Sequence, residues 1–146
     1  MAPAYAADAY VKYMNPYGKN ARLGAPAVSN SGTANQGLDW LKQFISACSG
    51  KCQIDFVPIH WYDPTGGVPY FKKHLREAYE IAGKPIWLTE FGVPGASQED
   101  QKKFFLEVSA WMDEQDWVER YAYFGVFEGM MIQGGQLSPL GEAYNS

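Results

Sequence analysis

Four short runs dense in apolar residues recur along the chain, and a helix-like segment separates each from the next. The runs are "ARLGAPAVSN", "QIDFVPIHWY", "PIWLTEFG" and "RYAYFGVFE". Between them lie "GLDWLKQFISAC", with Leu38, Leu41 and Ile45 on one helical face, and the amphipathic "VPYFKKHLREAYEIAG", ended by Gly83. The third, "SQEDQKKFFLEVSAWMDEQ", opens on Ser97 as N-cap with acidic residues in its first turn. A helix in "APAYAADAYVKYMNPYG" precedes the series, and "SPLGEAY" closes it, with Ser138 as N-cap and Pro139 at the first helical position. Apolar runs without alternation are strands buried on both faces, and helical crossovers make them parallel. The pattern predicts one α/β domain over residues 1–146, with no linker, repeat or low-complexity segment. "GMMIQGG" is expected as a further short strand at an edge.

In a parallel sheet the C-terminal strand ends share one rim, where ligands bind. Here those ends carry Ser29-Asn30, His60-Trp61-Tyr62, Thr89-Glu90-Phe91 and the stretch from Phe124 to Glu128. Polar and aromatic side chains therefore recur at one end of every strand. That places Glu90 at the mouth of a site rather than in the core. Aromatic rings beside carboxylate, amide and imidazole groups suit a sugar, whose C–H faces stack while its hydroxyls are bonded. Five Trp, ten Tyr and eight Phe exceed what a core of this size requires. The expected ligand-binding residues are Asn30, His60, Tyr62, Glu90, Phe91, Phe124 and Glu128. Alternation puts His60 and Tyr62 on one face and Trp61 on the other. Trp61 and Trp87, inside strands, are candidates for the core, Asp55 for a structural role, and His74 for packing or the surface.

The formal net charge is −4, without a basic run, which argues against nucleic-acid binding. No apolar stretch is long enough to insert in a membrane. The N-terminus, "MAPAYAADAYVKYM", lacks a basic start followed by an apolar core and does not read as a signal peptide. Cys48 and Cys52, in "CSGKC", are spaced for a small disulfide loop, the alternative being two free thiols. His60 and His74 do not complete a zinc set with them. No metal and no cofactor is expected.

The segments "PAVSN", "GLDWLKQFISAC", "IDFVPIHWY", "KPIWLTEFG", "RYAYFG" and "LSPLGEAY" together resemble the C-terminal half of a glycoside hydrolase family 128-type core, a β-1,3-glucanase-like (β/α)8 barrel. The resemblance runs over nearly the whole chain. It implies that Glu90, in "TEFG", stands at the position of the retaining nucleophile. It implies further that His60 and Tyr62 line the sugar site and that Tyr123-Phe124 matches the family's aromatic platform. The family's acid/base glutamate lies in an Asn-Glu-Pro motif on an earlier strand, and these 146 residues contain no such motif. Retaining hydrolysis needs two carboxyls about 5 Å apart. Asp63 and Glu128 are the nearest candidates for a substitute.

A complete barrel needs about 200 residues or more, so the resemblance implies half a barrel. The expectation is an α/β half barrel opened into a single α/β/α sandwich of about 4–5 strands. Its free sheet edge would pair two copies into a homodimer. Two readings of function follow. One is a lectin-like protein binding an oligosaccharide or a glycoprotein glycan, of the kind a mushroom glycan-binding derivative of this core would be. The other is a β-1,3-glucan hydrolase that is minimal or completed by a partner chain. The disulfide and the family favour an extracellular or cell-wall location, which the N-terminus does not mark.

Overall fold

Ser97 and Ser138 start two of the five helices as the sequence predicts. Each hydroxyl accepts from the backbone N–H three residues on, Asp100 at 3.1 Å and Gly141 at 3.0 Å, satisfying a first-turn donor that has no helical partner. The computed structural model describes all 146 residues. Its helices are α1 (Pro3–Tyr13), α2 (Gly37–Cys48), α3 (Val68–Ala82), α4 (Gln98–Asp113) and α5 (Pro139–Asn145). α3 stops at Gly83, whose φ of 59° lies in the left-handed region that glycine enters without a Cβ clash. α2 stops at Ser49, and Cys48 and Cys52 are joined by a disulfide across the turn that follows.

The strands β1 (Val57–Tyr62), β2 (Ile86–Gly92) and β3 (Val118–Tyr123) form one parallel sheet in that order. The first apolar run does not become a full strand. It touches β1 through two parallel bridges, Gly24 with Phe56 and Val28 with Ile59. Pro26, between them, has no N–H to give a ladder, which suits an edge position. The Met-rich segment does not join this sheet. It folds into a separate hairpin of β4 (Ile132–Gln133) and β5 (Gln136–Leu137). Gly134 and Gly135, at φ of 59° and 76°, reverse the chain after two residues and leave no length for an edge strand.

One face of the sheet holds the core. Val57, Ile59 and Trp61 of β1 and Ile86, Leu88 and Phe91 of β2 are fully buried in one cluster with Phe44, Phe71, Leu75, Phe104 and Val108 of α2, α3 and α4. Helices cover this face alone. The opposite face carries partly exposed side chains, among them Pro58, His60, Tyr62, Trp87 and Glu90. Trp87, a candidate for the core, stacks there on Phe56 at 3.7 Å between centroids. The guanidinium groups of Arg22 and Arg120 lie 5.6 and 4.8 Å from the Trp87 ring centroid. Glu119 accepts the Trp87 indole N–H at 2.8 Å and pairs with Arg22 at 2.9 Å. These contacts hold the Glu119 carboxyl below the usual carboxylate range, the indole hydrogen bond foremost.

β2 contains one residue too many for either neighbour. Ile59 faces Leu88 and Trp61 faces Phe91, so β1 takes two steps where β2 takes three. β3 likewise takes two, from Tyr121 to Tyr123, over the same span. The extra residue is a bulge at Thr89–Glu90. Strict alternation from Ile86 and Leu88 would send Glu90 into the core and Phe91 out. The bulge reverses both. Thr89 and Glu90 turn to the open side, and Phe91, 0% exposed, packs edge-on to Tyr123 at 5.0 Å.

His74 of α3 is buried, and its Nε2 meets no hydrogen-bond partner. Burial lowers its pKa from 6.5 to about 4, against a smaller opposing pull from Glu77. Between those values the unfolded chain binds a proton that the folded chain refuses. Stability therefore falls as pH drops through this window, by about 3 kcal/mol at most. The variant His74→Phe should lose that contribution. Its urea midpoint should drop less than the native chain's between pH 7 and pH 4. Equal drops in both would refute the assignment.

Candidate functional site

The open face carries its polar groups at the C-terminal ends of the strands, where β1 and β2 place them side by side. His60 and Tyr62 of β1 share that face, with Trp61 buried behind them, as alternation requires. The bulge brings Glu90 opposite His60 in register. The Tyr62 hydroxyl donates to Glu90 Oε2 at 3.0 Å, and His60 Nδ1 lies 3.5 Å from the same oxygen. Glu90 keeps 38% of its side chain exposed. The Tyr62 phenol is pushed well above its ordinary pKa, by burial first and by its hydrogen bond to the Glu90 carboxylate second. It stays a donor at neutral pH. The trio is a carboxylate that accepts a hydrogen bond from a phenol, with an imidazole beside the same oxygen.

Phe124 lies beside this trio. Its ring meets Tyr62 edge-on at 6.2 Å, is 47% exposed, and contacts Phe127 edge-on at 5.6 Å. The strand end thus resolves the Tyr123-Phe124 pair. Tyr123 is buried, with its hydroxyl between the Val93 N–H and Gln101, and Phe124 faces out. Such an array can stack one face of a sugar ring while Glu90 accepts from its hydroxyls.

The other expected ligand residues have these surroundings. Phe91 is in the core, for the bulge reason given above. Glu128 spends Oε1 on the Gly134 N–H, clamping the turn of the β4–β5 hairpin. Asn30 uses both ends of its amide on backbone. Its Nδ2 donates to the Tyr62 carbonyl at 3.0 Å, and its Oδ1 accepts the Tyr62 N–H at 3.2 Å. Asp55, at the opposite end of the sheet, accepts the Leu23 N–H at 2.7 Å in the structural role expected of it. Neither Glu128 nor Asp63 hydrogen-bonds to Glu90. Tyr70, Phe127 and the Phe56–Trp87 pair were not singled out from the sequence. Phe127 alone left a signal there, as an aromatic just beyond the last strand. No cluster of His, Cys, Asp or Glu is arranged to hold a metal ion, and no helix is long and apolar enough to cross a membrane.

A curdlan-specific exo-β-1,3-glucanase from Blastomyces gilchristii, of glycoside hydrolase family 128 subgroup III, was crystallised with glucose. It superposes at a TM-score of 0.92 with 45% identity, over 100% of this chain and 63% of that one. A subgroup VII oligosaccharide-binding protein from Cryptococcus neoformans superposes at 0.72 with 26% identity, over 98% of this chain and 59% of that one. Alkali-sensitive linkage protein 1 of Schizosaccharomyces pombe is 33% identical over 163 residues, 98% of this chain and 29% of that protein. The chain therefore spans less than two thirds of each. Its fold is that of a family 128-type glucanase-like core, present as a partial barrel. The family model for the glycosyl hydrolase catalytic core matches residues 1–144, and the chain belongs to that family.

Proposed function

We propose that this chain binds a β-1,3-linked glucan on its open face around Glu90 and does not cleave it by itself. The observation that carries the reading is the pairing at Glu90. A phenol donates to the carboxylate, an imidazole lies 3.5 Å from the same oxygen, and an exposed ring stands beside them. A carboxylate with an aromatic neighbour is sufficient to bond hydroxyls and stack a ring. Retaining hydrolysis requires in addition an acid about 5 Å away to protonate the leaving oxygen. The similarity to an oligosaccharide-binding protein of subgroup VII supports glycan binding.

A hydrolytic reading has support of its own. The relative at 45% identity is an exo-β-1,3-glucanase, and this chain spans 63% of its length. The open face around Trp87 and Glu90 is free to receive a complement that brings the acid. A two-fold pairing of copies through the free edge of β3 is the association the sheet favours, since Pro26 blunts the other edge. Sedimentation at micromolar concentration should then give twice the chain mass, and a strict monomer would exclude the pairing.

Calorimetry with soluble β-1,3-glucan, run beside a reducing-end assay, tests the function. Binding without release is expected. A charged acceptor's hydrogen bond is worth about 1.5–3 kcal/mol, so Glu90→Gln should weaken binding about ten- to hundredfold. Release of reducing ends that Glu90→Gln abolishes would establish the hydrolytic reading instead.

A further inference from the structure

We infer that Asn30 and Tyr70 are positioning residues, which set the Tyr62 hydroxyl on Glu90 without touching the glucan themselves. Backbone pairing between residues 24–28 and β1 ends at His60, whose N–H donates to the Val28 carbonyl at 2.8 Å. Past that point the chain turns away towards α2. The Asn30 side chain then takes over the ladder. Its amide gives the Tyr62 backbone one donor and one acceptor, the two groups a neighbouring strand residue would offer. The amide orientation follows from these partners, because a carbonyl demands Nδ2 and an N–H demands Oδ1. Tyr70, in the first turns of α3, donates its hydroxyl to the Asn30 carbonyl at 2.8 Å and steadies the loop from the other side.

The consequence falls on Tyr62. It is the last residue of β1, in register with Gly92 of β2 on one side and without a neighbouring strand on the other. Its phenol must nonetheless reach Glu90 Oε2 at 3.0 Å. A strand end that frays would swing a hydroxyl at the far end of a tyrosine by more than a hydrogen bond tolerates. The Asn30 amide removes that freedom, and the chain of contacts runs Tyr70, Asn30, Tyr62, Glu90. Both polar atoms of the Asn30 amide are committed to the Tyr62 backbone, each keeping one further N–H or lone pair.

The affinity part of the test rests on the glucan reading above, and the spectroscopic part does not. In the chain labelled at tyrosine Cζ, the Tyr62 signal is assigned by its loss in Tyr62→Phe. Phenolate formation at Tyr62 should begin at lower pH in Asn30→Ala than in the native chain, with a smaller displacement in Tyr70→Phe. Asn30→Asp, which accepts the Tyr62 N–H and cannot donate to its carbonyl, should lie between native and Asn30→Ala and covers the case in which alanine unfolds the loop. With soluble β-1,3-glucan as probe, Asn30→Ala and Tyr62→Phe should each lose about tenfold in affinity. In the Tyr62→Phe background it should lose no more than about twofold further. Unchanged Tyr62 titration in every variant would overturn the proposal. So would independent, multiplying losses, which would make Asn30 a direct contact. If the native chain binds no glucan while the Tyr62 titration moves as stated, the functional reading fails and the positioning role stands.

Discussion

One extra residue in β2 decides what this surface can do. Without the bulge at Thr89–Glu90, the strand's alternation would bury a carboxylate among Leu88, Trp61 and Phe104, at a cost that burial of a lone charge makes prohibitive. With it, the carboxylate stands on the open face, opposite His60 and within reach of Tyr62. The same step returns Phe91 to the core, where it packs on Phe71, Phe104 and Tyr123. The site and the core are thus two sides of one backbone irregularity. That coupling explains how a mainly apolar strand can carry a partly exposed acid without loosening the packing behind it.

The open face is the second constraint. Helices cover one side of the sheet only, and the uncovered side is held in order by polar and cation–π contacts around Trp87 rather than by apolar burial. Such contacts are individually weak and tolerate water. They let the concave side of a partial barrel persist in a chain that spans 63% of a similar glucanase. A face of this kind is accessible along the whole sheet, which is what an extended polysaccharide needs and what a closed pocket would deny it.

The sequence made the frame legible because local signals and the fold agree. Ser97, Ser138 and Gly83 bound their helices as their chemistry requires, and three of the four apolar runs become the parallel strands. It misled wherever the outcome depends on a long-range partner or on one residue of register. Period-two reasoning cannot register a bulge, so Phe91 was placed at the ligand with its neighbour. Trp87 reads as core because the groups that keep it wet, Arg22, Glu119 and Arg120, lie far away in sequence. Asn30 was recognisable as a polar strand end, but nothing local says that its amide is consumed by the Tyr62 backbone. The "GMMIQGG" segment has strand composition, and its two glycines decide for a hairpin.

The central claim is that Glu90, held by Tyr62 and flanked by Phe124, is where a β-1,3-glucan sits. The most direct measurement is a crystal structure of the chain with a β-1,3-linked glucotriose. The account predicts a sugar hydroxyl within about 3 Å of a Glu90 carboxylate oxygen, and a pyranose face against the Phe124 ring. A trisaccharide ordered elsewhere, with Glu90 bonded to Tyr62 and water alone, would contradict it.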